Sequence, residues 1–398
     1  MTKRRTMAGD YRMIVEQGEL DSLCGEMAGT DYVTIDTEFM RERTYWPQLC
    51  LVQIARPLDA DGAENAALID PLAGLDLAPL FDLMRNPGVL KVFHAARQDI
   101  EIFVNLMGEV PAPIFDTQIA AMVCGYGDQA GYETLVRSLA GASLDKSSRF
   151  TDWARRPLSE KQLVYAAGDV THLRVIYEKL SAQLADTGRT AWVSTEMEAL
   201  RARETYVTEP EAAWERIKTR STDARFLGVV RALAEWRERL AQERDQPRGR
   251  ILKDEAILEI AASRPTTRDK LLESRALQRE GRRPEILDQI LEAVAAGQAQ
   301  PLRLPPAPDR PKQKPGGQAL AELLRVLLKA KADDLGVAQR LIASSAELDE
   351  LAHAEEPEVK ALEGWRREAF GEDALRLKRG EIALSAGPRG VKIVSLDR

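Results

Sequence analysis

Residues 32–39 read Tyr-Val-Thr-Ile-Asp-Thr-Glu-Phe, two carboxylates inside a run that is otherwise aromatic, apolar and β-branched. That composition favours a strand. Residues two apart in a strand share a face, so Asp36 and Glu38 point the same way from a strand end. Carboxylates held that close repel each other unless one is protonated or a cation neutralises them. A hard divalent cation with oxygen ligands resolves the repulsion. A lone Asp-x-Glu is also met as a solvated pair on an edge strand, so the reading depends on partners elsewhere in the chain.

Two further motifs supply them. A second apolar run, Val89 to His94, turns into Ala-Ala-Arg-Gln-Asp-Ile-Glu-Ile-Phe. Ile100, Phe103 and Val104 have helical spacing there, which puts Asp99 in the first turn of a helix. Taken alone, Asp99 is explained by the favourable end of a helix dipole. The segment 160–180 reads as a helix with Leu163, Val164, Ala167, Val170, Leu173 and Ile176 on its apolar side. Tyr165 and Asp169 are four apart in it, so a phenol and a carboxylate share a face and reach one site. Four acids in three motifs, in this order, form the pattern that two-metal phosphodiester chemistry needs.

Together the motifs resemble the DEDD family of 3′-to-5′ exonucleases in its Tyr-containing subclass. The flanks narrow this. Arg43-Thr-Tyr-Trp-Pro-Gln-Leu-Cys-Leu-Val-Gln-Ile-Ala55 follows the first motif, and Ser147-Ser-Arg-Phe-Thr-Asp-Trp-Ala-Arg-Arg-Pro-Leu-Ser159 precedes the third. Both are similar to the ribonuclease D family, closely over the first half of the chain and more loosely over the helical second half. The resemblance implies a ribonuclease H-like α/β exonuclease core, a mixed sheet flanked by helices, followed by all-α HRDC-type domains. It also implies two divalent metal ions, Mg²⁺ or Mn²⁺. Asp36, Glu38 and Asp169 would hold the ion that activates the attacking water, and Asp36 with Asp99 the ion that stabilises the leaving 3′ oxygen. Tyr165 would orient the water. Nothing departs from the family pattern at the four acids or at Tyr165. The expected activity is hydrolysis of RNA from its 3′ end to nucleoside 5′-monophosphates, with transfer RNA precursors, small RNAs and single-stranded 3′ tails as substrates. Two alternatives are kept: a DNA exonuclease of the proofreading type, which the flanks and the lack of a polymerase region disfavour, and an RNA-binding scaffold without catalysis, which the intact acidic set disfavours.

Composition bounds the rest. The 398 residues suggest two or three domains. No apolar run approaches the ~18 residues of a membrane span, and no apolar stretch follows the basic start, so no signal peptide is read and a cytoplasmic protein is expected. Cys24, Cys50 and Cys124 are odd in number and widely spaced, which fits a reducing compartment and no zinc pattern. His94, His172 and His353 are the only histidines, which excludes a histidine-rich metal site; of the three, His94 is the one near the acids. The net charge of −7 is uneven: residues 1–212 carry 21 basic and 32 acidic side chains, and residues 213–297 carry 18 and 15. So acidic a domain repels polyanions unless cations neutralise its cleft. The helical remainder is a less repulsive holding surface, or simply a solvated exterior.

The expected organisation is an exonuclease domain over 1–205, an HRDC domain over 213–297, a Pro-rich linker over 298–317, and a diverged HRDC-like module over 318–398 that ends in a β-hairpin. Strands are expected at 32–39, 49–55, 67–70 and 89–93, the first of them as an antiparallel meander. Beyond the acids, Thr37, Phe39, His94, Gln98, Lys146 and Arg149 are substrate-binding candidates, with Arg155, Arg156 and Trp46 behind them. Aromatics beside an acidic site stack on terminal bases and arginines grip phosphates; Phe39 and Trp46 are also plausible core residues. A monomer is the expected state.

Overall fold

The computed structural model describes residues 11–58, 66–144, 151–277, 280–304, 316–388 and 390–396. Strands β1 (Tyr11–Ile14), β2 (Tyr32–Met40), β3 (Gln48–Ala55), β4 (Ala66–Ile69), β5 (Leu90–Phe93) and β6 (Ile114–Asp116) form one sheet in the order β1-β4-β3-β2-β5-β6. The expected meander is β2-β3-β4, antiparallel throughout. Strands β1, β5 and β6 join in parallel. The sheet is therefore mixed, with β2 at its centre.

Alternation along β2 sorts its side chains between two layers. Val33 and Ile35 pack into a core with α1 (Gln17–Met27), α2 (Ala78–Arg85) and α3 (Arg97–Met107). On the other face lies the long helix that carries the third motif, whose Ala166, Ala167 and Val170 pack on Cys50, Leu51, Ala55 and Leu68. Helix α4 (Thr117–Val123) precedes it in the chain; α5 (Glu160–Asp186) is that long helix, running past the expected end at residue 180, and α6 (Thr190–Glu198) follows. A capping box starts α5: Ser159 and Gln162 satisfy each other's backbone donors.

Beyond residue 205 the described residues form helices and their connections up to a hairpin. Helices α7 (Ala224–Glu243), α8 (Asp254–Ser263) and α9 (Pro284–Ala299) share one core. Where α7 and α9 cross, their backbones touch. A Cβ at Gly228 would lie 2.4 Å from the carbonyl oxygen of Gly297, and one at Gly297 would lie 2.5 Å from Val229 Cα. The expected linker starts later than residue 298, because α9 runs to Ala299; residues 305–315 lie outside the described residues. Helix α10 (Gly317–Leu335) opens a second helical core. Its helices are shorter and more broken than the continuous spacing at 320–377 suggests. The chain ends in the antiparallel hairpin Ile382–Gly387 and Gly390–Ser395.

Both helical modules seat on the nuclease half. Tyr45, just after β2, packs into the first helical core. Trp192 of α6 stacks on Trp365 with centroids 4.4 Å apart and planes 10° apart, and Arg189 donates to the Leu335 carbonyl at 2.7 Å. Among the described residues, no helix is long and apolar enough to cross a membrane.

Candidate active site

Asp36 and Glu38 lie on β2 just past Thr34, the last residue paired with β5, on the face that meets α5. Thr34, two residues earlier on that face, donates its hydroxyl to the Val170 carbonyl at 2.9 Å and so fixes α5 against the strand. The Tyr132 hydroxyl donates to the carbonyls of Gly168, at 3.3 Å, and Asp169. Held by these contacts, α5 brings Asp169 to Asp36 and Glu38. One ligand atom from each of Asp36, Glu38 and Asp169 lies within 4.8 Å of the others. The strand register slips here, from Glu38 opposite Leu51 to Phe39 opposite Leu49. Bulges commonly re-aim side chains beside active sites in this way.

Asp99 arrives from the opposite layer. It lies in the first turn of α3, and Thr37 donates its hydroxyl to Asp99 Oδ1 at 2.5 Å. Asp116 holds that turn in place: its carboxylate accepts from the amides of Ala95 and Ala96, at 3.0 and 2.9 Å, and from Gln118 N at 2.8 Å at the start of α4. Asp36, Thr37, Phe39, His94, Gln98, Asp99, Tyr165 and Asp169 all line one cleft of about 500 Å³. Phe39 lines it while also packing on the core. His94 Nδ1 lies 3.0 Å from the Thr117 hydroxyl.

The electrostatics follow from this crowding. Burial, then repulsion from Asp169, pushes the Asp36 carboxyl well above the usual range. Burial and the charge of Asp36 do the same to Asp99, against the opposing effect of the Thr37 hydrogen bond. Burial lowers the His94 pKa, which favours the neutral imidazole, though Asp116 works against this. Tyr132 is pushed well above its ordinary value by burial and by Asp169 and Asp36, so it stays a neutral donor. Among the described residues that line the cleft there is no lysine or arginine. The grouped carboxylate oxygens of Asp36, Glu38 and Asp169 suit a hard divalent cation such as Mg²⁺ or Mn²⁺. The residues present fit such an ion.

Several expected contacts lie elsewhere. Arg156 is committed to structure: its guanidinium grips Asp70 at 2.6 and 2.7 Å and the Cys50 carbonyl at 2.7 Å. Trp46 is not core; it is 38% exposed at the junction with the first helical module. Lys146 and Arg149 lie outside the described residues. Tyr132 and Asp116 escape the sequence reading: Tyr132 acts on carbonyls 36 and 37 residues away, and Asp116 reads as the cap of α4 while its contacts to Ala95 and Ala96 lie 21 and 20 residues back.

A mixed sheet carrying such a cleft defines a nuclease core, and residues 11–185 match the family model described as 3′-5′ exonuclease. Residues 226–294 match the HRDC domain. Ribonuclease D of Jannaschia sp. (strain CCS1) is 54% identical over 388 residues, 96% of this chain and 99% of the relative. Ribonuclease D of Granulibacter bethesdensis is 49% identical over 96% of each chain. The crystal structure of Escherichia coli RNase D, described as an exoribonuclease involved in structured RNA processing, superposes with a TM-score of 0.76 at 31% identity, covering 94% of this chain and 99% of that one. The chain belongs to the ribonuclease D family, hydrolytic 3′-to-5′ exoribonucleases.

Proposed function

We propose that the cleft removes nucleotides one at a time from single-stranded RNA 3′ tails, using two divalent cations, Mg²⁺ or Mn²⁺, and releases nucleoside 5′-monophosphates. The observation that carries this reading is the convergence of Asp36, Glu38 and Asp169, each with a ligand atom within 4.8 Å of the others. In this reading those three residues hold one cation, and Asp36 and Asp99 hold the other. When bound, the cations supply Lewis-acid activation of water and neutralise charge at the leaving 3′ oxygen. Thr37 aims Asp99 and favours its ionised form against burial and the charge of Asp36. Tyr165 orients the attacking water; a phenol, with an ordinary pKa near ~10, is too weak a base at neutral pH to deprotonate it unaided. Phe39 stacks on the terminal base, His94 and Gln98 contact the last nucleotide, and Lys146 and Arg149 take phosphates.

The same reading makes transfer RNA precursors in the cytoplasm the natural substrates. A duplex is stiff and its terminal bases are paired, so its end enters the cleft only after unpairing. The chain has no G-x-x-x-x-G-K loop and thus no evident motor for unwinding. The structured-RNA role of the Escherichia coli relative is in keeping with this. The test is a 5′-labelled hairpin with a single-stranded 3′ tail, resolved on a sequencing gel over time. The expected result is a ladder that shortens and slows near the stem. Internal cuts, or digestion through the stem without a pause, would overturn the reading.

A further inference from the structure

A second cleft, of about 380 Å³, lies between the nuclease sheet and the first helical module and has the opposite charge to the acid cleft. Arg41, Arg97, Arg216 and Arg248 line it together with Trp46, against one carboxylate, Glu101. Glu101 is already occupied by a two-point ion pair from Arg41, at 3.0 and 2.6 Å. Arg248 stands 3.6 Å from Glu238, which also accepts the Tyr45 hydroxyl. Arg97 and Arg216 are exposed and make no side-chain hydrogen bond or ion pair among the described residues. Arg97 belongs to the nuclease half, where acids outnumber bases 32 to 21, and Arg216 to the helical side; two uncommitted guanidinium groups facing one cleft need a reason.

Trp46 supplies the other half of the pattern. Its backbone N–H donates to Asp245 at 2.9 Å, and its indole N–H to the Gln242 carbonyl at 3.4 Å. Tyr45 meets its ring edge-on, with centroids 4.7 Å apart. The indole is therefore held by contacts to the helical module, yet 38% of the residue stays open. A fixed, uncovered aromatic face among arginines is the arrangement that binds single-stranded nucleic acid: bases stack and phosphates pair. A small anion alone would leave the indole without a partner.

The two clefts are joined through the chain. Arg41 follows Glu38 by three residues, about 10 Å of extended strand, and Arg97 precedes Asp99 by two in the first turn of α3. We infer that the junction cleft is a second RNA subsite. It holds phosphates upstream of a 3′ end seated in the acid cleft, with Trp46 stacking on an upstream base. This rests on the acid cleft being the nuclease site. Arg216 and Arg248 come from the helical side, so the subsite exists only while that module is docked.

The test uses full-length protein in EDTA, so that RNA is bound but not consumed. Fluorescence anisotropy compares a labelled dinucleotide with a labelled single strand of about 12 nucleotides, within the span such grooves cover. For Arg97→Gln/Arg216→Glu, the longer RNA is expected to bind more weakly. Its log–log salt dependence should flatten by about 0.7 per lost phosphate contact, about 1.4 in all. Trp46→Leu is expected to weaken the longer RNA roughly 5- to 150-fold with little change in that slope, and Trp46→Phe to recover most of the loss. Unchanged affinity and slope in the double variant would overturn the inference. So would an equal loss for dinucleotide and longer RNA, which would place the effect in the acid cleft. These outcomes stay separate from failure of the nuclease reading, in which the parent protein with Mg²⁺ or Mn²⁺ would degrade no RNA.

Discussion

Replacing Asp36 with Asn should stabilise the metal-free protein while abolishing its activity. Asp36 lies within 4.8 Å of two other carboxylates. At an effective dielectric constant of about 20, one charged pair at that separation costs about 3.5 kcal/mol. Protonation and partial exposure relieve part of this, so removing one charge should return about 1–3 kcal/mol. For a domain of this size that corresponds to a melting temperature roughly 2–12 °C higher. The pH dependence has a definite sign. The folded-state pKa of Asp36 is raised, so its contribution to stability is fully present below its unfolded value and is lost as pH rises through the folded one. The gap between variant and parent should therefore be small at pH ~5 and large at pH ~8. Saturating Mn²⁺ should reverse the order, because binding to the native state stabilises the parent and not a variant that lacks the ligand. Activity should fall by more than the roughly 10–100-fold that loss of an outer partner of a metal ligand costs. Thermal melts in EDTA and in Mn²⁺ at both pH values, with an RNA degradation assay alongside, read all of this. A variant that melts below the parent in EDTA at the higher pH, or a gap that does not grow with pH, would refute the proposed mutual repulsion.

Two other substitutions probe the same cleft. Thr37→Val removes the hydrogen bond that favours ionised Asp99; such a bond to a charged group is worth about 1.5–3 kcal/mol, so the rise of activity with pH should move about 1–2 units upward, and an unmoved pH–rate profile would show that Thr37 does not tune Asp99. Tyr165→Phe should lower kcat roughly 10²-fold with KM close to the parent's, since the phenol acts on water in the transition state; a rise in KM alone, in steady-state kinetics on a short RNA, would make Tyr165 a substrate-binding residue instead.

The strongest local patterns in the sequence became the elements that carry the acids. Strand β2 is rich in β-branched and aromatic residues, and α5 combines apolar periodicity with a Ser-x-x-Gln capping box, so both are readable. Strands β1 and β6 were not: they have four and three residues, and it is pairing with β4 and β5 that makes them strands. The side chains that position the acids were equally hidden. Tyr132 acts 37 residues from the carbonyl it holds, and Arg156 finds Asp70 86 residues away. Motif reading cannot supply such distances, and it placed Arg156 on the substrate when its guanidinium was already satisfied. Trp46 was ambiguous for a different reason. An aromatic residue after a strand is core or surface according to what docks beside it, and here a helical module covers one part of the ring and leaves the rest open.

The separation of charges between the two clefts follows from what each has to bind. An arginine beside Asp36 would relieve the carboxylate repulsion, but it would occupy the oxygens a divalent cation needs and bring no Lewis acidity in exchange. Phosphate contacts nevertheless require fixed positive charge. Both demands are met if the cations sit just beyond the acids on the same elements: Arg41 after Glu38 on the β2 side, and Arg97 before Asp99 in α3. Glu101, one turn further along α3, ties down Arg41 and keeps it from folding back toward the cluster. The second half of β2 and the start of α3 thus present an acidic face to the scissile phosphate and a basic face to the phosphates behind it, and the first helical module closes the basic face from the other side.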